Sequence, residues 1–231
     1  MKYHLIASGS KGNCLLVGYL NKWLVIDCGI SQKYFLECLL KLKISLDQIR
    51  AVIISHGHSD HYQKLKCLEN ITCYSNNIKD QEINYSNDFM IDDFKIMPLL
   101  LSHDYEPTYG FVIEVNCKRL GYITDTGYLR DSEINKLKGC DYLIIESNYD
   151  EELLLASNRS WYLKKRIMSN KGHLSNQDTK RYLDLIGVSD NCEIVLAHIS
   201  QDVNSDECLM IVFKDYKFKI ARQFEILSNN N

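Results

Sequence analysis

Ala51-Val52-Ile53-Ile54-Ser55-His56-Gly57-His58-Ser59-Asp60-His61 passes from an apolar, β-branched run directly into three histidines and an aspartate. The chain has only seven histidines, so three within six residues is not an effect of composition. Imidazole nitrogens and carboxylate oxygens are the ligands that zinc and similar divalent ions select. The His56-Gly57-His58 alternation points two imidazoles the same way from an extended segment. Asp60-His61 then faces a second point across the turn. A solvated polar loop has no need of four such side chains at this spacing. The segment predicts a buried strand ending in a metal-binding loop.

The rest of the composition is that of an ordinary globular protein: 231 residues, 45% apolar and 25% charged, enough for a sizeable core. No run of eighteen apolar residues occurs, which predicts no membrane span. The opening Met1–Gly9 is too short in its apolar part for an export signal, so a cytoplasmic location is expected. Nine cysteines, an odd number spread singly, fit reduced thiols rather than a disulfide framework. Two prolines and the lack of repeats or low-complexity linkers predict one continuous domain over 1–231. The net charge of −3 excludes a chain that is basic as a whole. Locally the balance reverses. From Trp161 to Arg181, six basic residues (Lys164, Lys165, Arg166, Lys171, Lys180, Arg181) stand against one acid, Asp178.

Short strands are expected at Tyr3–Ala7, Cys14–Leu20 and Lys22–Asp27, the first two joined by the turn cluster Ser8–Asn13, with a tight turn at Asn21-Lys22. Gln32–Leu42 has helical periodicity, and Tyr62–Leu68 reads as a second helix. Ile71–Tyr74 and Phe94–Leu101 read as strands, the latter broken at Pro98. Phe111–Val115 and Leu120–Thr124 form a hairpin, and Asp141–Ile145 is a further strand. A largely helical segment covers Asp150–Ile186, interrupted at Lys171-Gly172-His173-Leu174. Glu193–Ala197, a helix at Asn204–Phe213, a strand at Tyr216–Ala221 and a frayed tail at Ser228–Asn231 complete the chain. His56, His103, Asp125 and His198 each follow an apolar β-type run, and strand-end loops are where rigid scaffolds place chemistry. Only His4 lies outside such loops, and it reads as structural.

The ligands suffice for two divalent ions, zinc or manganese. His56, His58 and His103 would hold one; Asp60, His61 and His198 would hold the other; Asp125 would bridge, since a carboxylate has two oxygens. Two such ions about 3.5–4 Å apart share a water and lower its pKa, giving a hydroxide that attacks an ester, amide, lactone or phosphodiester. Asp60 thereby counts among the catalytic residues as well as the ligands.

With Asp27, His103, Asp125 and His198 placed around it, the Ser55–His61 motif resembles the metallo-β-lactamase superfamily over nearly the whole chain. Ser8-Gly9-Ser10-Lys11-Gly12-Asn13, Val25-Ile26-Asp27-Cys28-Gly29, Thr124-Asp125-Thr126-Gly127, Glu146-Ser147-Asn148, Gly172-His173-Leu174-Ser175-Asn176 and Ala197-His198-Ile199-Ser200 make it similar to the YycJ/WalJ branch. The resemblance implies an αββα four-layer sandwich, two mixed β-sheets flanked by helices, with the metals at one edge. It further implies a binuclear phosphodiesterase acting as a 5′→3′ exonuclease on DNA ends. Two positions depart from the branch pattern: Tyr149 replaces a usual histidine, and Val203-Asn204 a usual Asn-Asn pair.

His173 lies in the basic stretch just ahead of a helix N-terminus, whose free N–H groups suit an anion. It is expected to contact the phosphate or protonate the leaving oxygen, with Ser175 and Asn176 adding hydrogen bonds to substrate. Asp27 is expected to orient a ligand imidazole through its other N–H. A small-molecule hydrolase on the same fold (a cyclic-nucleotide phosphodiesterase, or a lactone or thioester hydrolase) is the alternative, and a non-catalytic metal-binding scaffold the third reading. Oligomeric state stays open, a homodimer included.

Overall fold

The computed structural model describes residues 1–76, 85 and 87–229. Among the described residues, thirteen strands form two sheets. The first is built from β1 (Lys2–Ala7), β2 (Cys14–Tyr19) and β3 (Lys22–Ile26), followed by helix α1 (Gln32–Leu42), β4 (Ile49–Ile53) and β5 (Cys73–Tyr74). Its order is β13-β1-β2-β3-β4-β5, where β13 is Leu227–Ser228. The β1–β3 meander is antiparallel, whereas β3, β4 and β5 run parallel.

The second sheet begins as an antiparallel meander of β6 (Phe89–Ile91), β7 (Phe94–Leu101), β8 (Thr108–Val115) and β9 (Lys118–Ile123). It continues in parallel through β10 (Tyr142–Glu146), β11 (Glu193–Ala197) and β12 (Phe218–Ile220). Helix α2 (Asp131–Leu137) links β9 to β10. Between β10 and β11 lie α3 (Glu151–Ala156), α4 (Trp161–Ile167) and α5 (Asn176–Ile186), and α6 (Asp206–Val212) leads into β12.

Strand alternation explains the layering. In β2, Leu15 and Val17 face the opposite sheet, while Cys14 and Leu16 face the layer that holds Phe35, Cys38 and Leu39 of α1. In the second sheet, Ile144 and Val195 point inward; Leu143, Ile145, Ile194 and Leu196 point outward against Leu183 and Ile186 of α5 and Leu209 of α6. Both faces of each central strand are thus buried, which is why the strands read as unbroken apolar runs. The result is two mixed sheets face to face with helices on both outsides, as expected.

Four expectations are corrected. Tyr62–Leu68 is not a helix; only a 3₁₀ turn at Lys66–Leu68 forms. Cys28 captures the backbone there: its carbonyl accepts from Gln63 N–H (3.2 Å) and its N–H donates to His61 O (2.8 Å). Pro98 does not break β7, because its carbonyl turns outward to Lys136 Nζ (2.9 Å) and β6 pairs only as far as Ile96. No ladder N–H is wanted at that position. The tail is not frayed at Ser228 and Asn229: β13 pairs with β1, and Asn229 Oδ1 accepts from Tyr3 N–H (2.9 Å). Residues 230–231 lie outside those described. The first tight turn lies at Leu20-Asn21 rather than Asn21-Lys22, both residues being left-handed (φ 46° and 61°).

Candidate metal centre

The cluster grows from the carboxyl ends of β3, β4, β7, β9, β10 and β11, which open on one edge of the sandwich. Asp27 ends β3 in the left-handed region (φ 58°) and is fully buried. It accepts from Ser55 N–H (2.8 Å) and Ser55 Oγ (2.9 Å), and its Oδ2 lies 2.7 Å from His61 Nδ1. Asp27 thus fixes both the start of the histidine loop and the ring of its last member. The loop turns because His61 and Tyr62 N–H both donate to His58 O (2.9 Å each). It presses on Gly29, where a Cβ would fall 1.8 Å from Asp60 O, so only glycine fits.

Within the loop, His56 Nε2 faces His58 Nδ1 at 3.1 Å. His103 follows β7; its Nδ1 donates to Gly172 O (3.1 Å), leaving Nε2 toward the cluster. Asp125 and His198 follow β9 and β11, both left-handed (φ 58° and 51°). Asp125 lies at the middle, with Oδ2 2.7 Å from His61 Nε2 and Oδ1 3.8 Å from His103 Nε2, 3.6 Å from His198 Nε2 and 3.5 Å from His173 Nδ1. Asp60 Oδ2 approaches His61 Nε2 (3.6 Å) and His198 Nε2 (3.8 Å). All seven residues read from the sequence as ligands therefore converge. The donor atoms of His56, His58 and His103 lie within 4.8 Å of one another, as do those of Asp60, His61 and His198.

The donor set fits divalent cations. Asp125 Oδ2 and His198 Nε2 are buried without an aligned hydrogen-bond partner, and buried polar atoms left in that way are costly. The titration of the cluster points the same way. Burial, then neighbouring His61, push His56 down to about 2, so its ring is neutral, the form in which an imidazole can take a metal. Burial also disfavours a charged His61, but Asp125 and Asp27 outweigh it and hold the ring up to about 10. His198 is raised by Asp125, Asp60 and Glu146 against the same burial. Protons here compensate carboxylates, the position a cation would take.

Glu146, at the end of β10, was not singled out as a functional residue from the sequence. It is fully buried; Oε1 meets His173 Nδ1 (2.7 Å) and His198 Nδ1 (3.0 Å), and Oε2 accepts from Thr126 N–H (3.1 Å). Despite burial it is held down at about 2, chiefly by His173. The signal was present: an acid at a strand end, like Asp27 and Asp125. His173 is raised in turn by Glu146 against burial, and its ring is partly exposed to the cleft.

A cavity of about 520 Å³ opens over the cluster, floored by His58, Asp60, His103, Asp125, His173 and His198. Its wall is one face of α4 with Arg159 ahead of it. Ser175 and Asn176 do not reach it. Both are fully buried: Ser175 caps α5 through Asp178 N–H (3.0 Å), and Asn176 Oδ1 accepts from Ser147 Oγ (2.7 Å) and Asn204 Nδ2 (2.9 Å). Their polar atoms are consumed inside the fold, so the expected substrate contacts are withdrawn. The basic stretch also divides. Lys180 and Arg181 pair with Asp184 and Asp178 on α5, away from the cavity, while Arg166 lines it. His4 is structural, stacked on Trp23 with Nδ1 2.6 Å from Ser228 Oγ.

Residues 22–199 match the family model described as a beta-lactamase superfamily domain. The chain belongs to the metallo-β-lactamase superfamily. It is a metal-dependent hydrolase of that superfamily. It is 29% identical to exodeoxyribonuclease YycJ of Bacillus anthracis, over 98% of this chain and 94% of the relative. It is 28% identical to exodeoxyribonuclease WalJ of Streptococcus pneumoniae D39, over 89% and 84%. Among solved superfamily structures, the metallo-beta-lactamase fold protein YhfI of Bacillus subtilis superposes with a TM-score of 0.72 at 17% identity, covering 99% of both chains.

Proposed function

We propose that this superfamily member is a 5′→3′ DNA exonuclease that works with two divalent ions, zinc or manganese. The observation that carries the reading is the convergence of His56, His58, Asp60, His61, His103, Asp125 and His198 around one carboxylate, Asp125, beneath a cleft walled by arginines. The likeness to two exodeoxyribonucleases supports DNA as the substrate. Ions held there would make a water acidic enough to attack near neutral pH and would offset charge on the phosphodiester.

The chain's own residues do the remaining work. Asp27 keeps the Nδ1 proton of His61, turning Nε2 toward the cluster, and Gly172 O does the same for His103. His173 is anchored at Nδ1 by Glu146, so Nε2 is its free nitrogen. We assign that nitrogen, on a ring whose hold on a proton Glu146 raises against burial, to the leaving oxygen or the phosphate. Nine free cysteines support a reducing, cytoplasmic setting, and among the described residues no helix is long and apolar enough to cross a membrane.

The test is turnover with manganese or zinc on 5′-phosphorylated DNA, run beside a cyclic nucleotide. Mononucleotide release from DNA alone is expected. Cleavage of only the cyclic nucleotide would replace this reading with the small-molecule one, which the modest cavity also admits. His173→Ala should lower turnover by about 10²–10⁴-fold.

A further inference from the structure

Helix α4 presents more to solvent than a cleft wall requires. Leu163, Arg166 and Ile167, three and four residues apart, share the face of α4 that lines the cavity, and Arg159, just ahead of the helix, lines it too. Tyr162 is one turn before Arg166 and is 82% exposed. Farther round the helix, Trp161 is 58% exposed, and Lys165 Nζ lies 5.6 Å from its ring. From the cleft outward the order is therefore Arg166, Tyr162, Lys165, Trp161. The helix is firmly placed: Lys164 is buried and donates to Leu155 O (2.6 Å) and Ser157 O (2.7 Å), locking α4 to α3.

We propose that α4 carries a single nucleic-acid strand out of the cleft, Arg159 and Arg166 taking its phosphates and Tyr162 and Trp161 stacking its unpaired bases. The proposal rests on the nuclease reading and adds the strandedness of what is held. Residues 157–177 contain five cations and no acid. Lys164 is buried, and Arg159, Arg166 and Lys171 reach the surface paired with the acids Asp202, Asp104 and Glu106 of other loops, beside Lys165, so a polyanion would take the place of those acids. The rings argue for an open strand, because bases paired in a duplex have no free face to offer an aromatic side chain. A second copy is disfavoured, since a two-fold interface would set this cationic patch against itself. The two arginines are presently held by Asp104 (2.7 Å from Arg166 Nε) and Asp202 (2.9 Å from Arg159). Exposed pairs of this kind are weak and yield readily to a phosphate.

The experiment is a binding titration of the metal-loaded full chain with a short phosphorothioate oligothymidylate, and with the same strand in a blunt duplex. In the unsubstituted chain tryptophan emission reports on the track, because the other tryptophan, Trp23, is buried against His4, and for every variant binding is read by the fluorescence anisotropy of a dye-labelled strand. The single strand should quench emission. Combined Trp161→Ala and Tyr162→Ala should weaken its binding at least about tenfold, given ~1–3 kcal/mol per stacked base. Trp161→Phe with Tyr162→Phe should restore it. Equal loss for the duplex, or undiminished strand affinity in the alanine variant, overturns the proposal. So does a drop in sedimenting mass without change in strand affinity, which would make the surface a contact between copies. Ring-dependent strand binding without nucleic-acid turnover would retire the nuclease reading and leave the track standing; turnover with ring-independent binding would do the reverse.

Discussion

Asp27 shows how much of the centre depends on a residue that is not placed to be a ligand. Its carboxylate accepts from Ser55 and holds His61 Nδ1. Asp27→Asn keeps the volume but can turn an amide N–H toward the proton on His61, so metal affinity should fall by about 10–100-fold. Asp27→Ala also strands the buried Ser55 N–H, adding about 1–3 kcal/mol of destabilisation. Chelator competition and denaturant unfolding separate the two effects, and unchanged metal affinity in both variants would refute the role. Protons give a second prediction. His61 is held up to about 10, so below that pH its ring carries a proton that an ion must displace. Affinity should therefore rise as pH rises toward that value, by about tenfold per unit for each proton displaced. Calorimetry in two buffers of different ionisation enthalpy checks this, and proton-free, pH-independent binding would contradict it. The candidate ligands are legible because few side chains bind ions and these follow apolar runs. Ser175 and Asn176 were misassigned because a sequence shows a helix cap without showing which way its side chains are consumed.

At the scale of elements, turns and caps were readable and the post-loop segment was not. Asp150, Ser160 and Ser175 each cap a helix with a side-chain oxygen, which cuts the region from Asp150 to Ile186 into α3, α4 and α5. Tyr62, Leu65 and Leu68 recur at helical spacing, yet backbone bonds to Cys28 draw that chain out instead. The two departures from the branch pattern turn out to share one small apolar cluster: Tyr149 and Val203 pack with Leu154 and Ile167. They are one packing event rather than two losses of polarity. The two-residue hairpin turns Leu20-Asn21 and Asn116-Cys117 are left-handed at all four positions (φ 46–61°), the shape that Asn-Gly serves best. Leu20→Asn and Cys117→Gly should each stabilise by about 1 kcal/mol, read as a raised denaturation midpoint with unchanged slope. Neutral or destabilising outcomes at both would show that the turns relax.

On the scale of the molecule, the centre joins two sheets. The loop after β4 supplies His56, His58, Asp60 and His61 from the first; His103, Asp125 and His198 come from the second. Ions bound there tie the sandwich across its open edge, so chelation should lower the melting temperature and added manganese or zinc restore it. At a hundredfold excess over the dissociation constant the expected gain is about 2.7 kcal/mol; coincident melts with and without chelator would argue against resident ions. The layering was not readable from periodicity, because strands buried on both faces lose the alternation that marks a face. It came from the resemblance. The frame itself owes its outline to the chain. The left-handed bends at Asp27 and His198 are secured by Asp27 N–H on Ile53 O (2.9 Å) and His198 N–H on Ser8 Oγ (2.8 Å). Thr126 N–H on Glu146 secures the one beside it at Asp125. Shape and cargo are therefore separable: the strand ends form a socket that can be rewired with other side chains, to favour another ion or none, without recasting the edge that holds them.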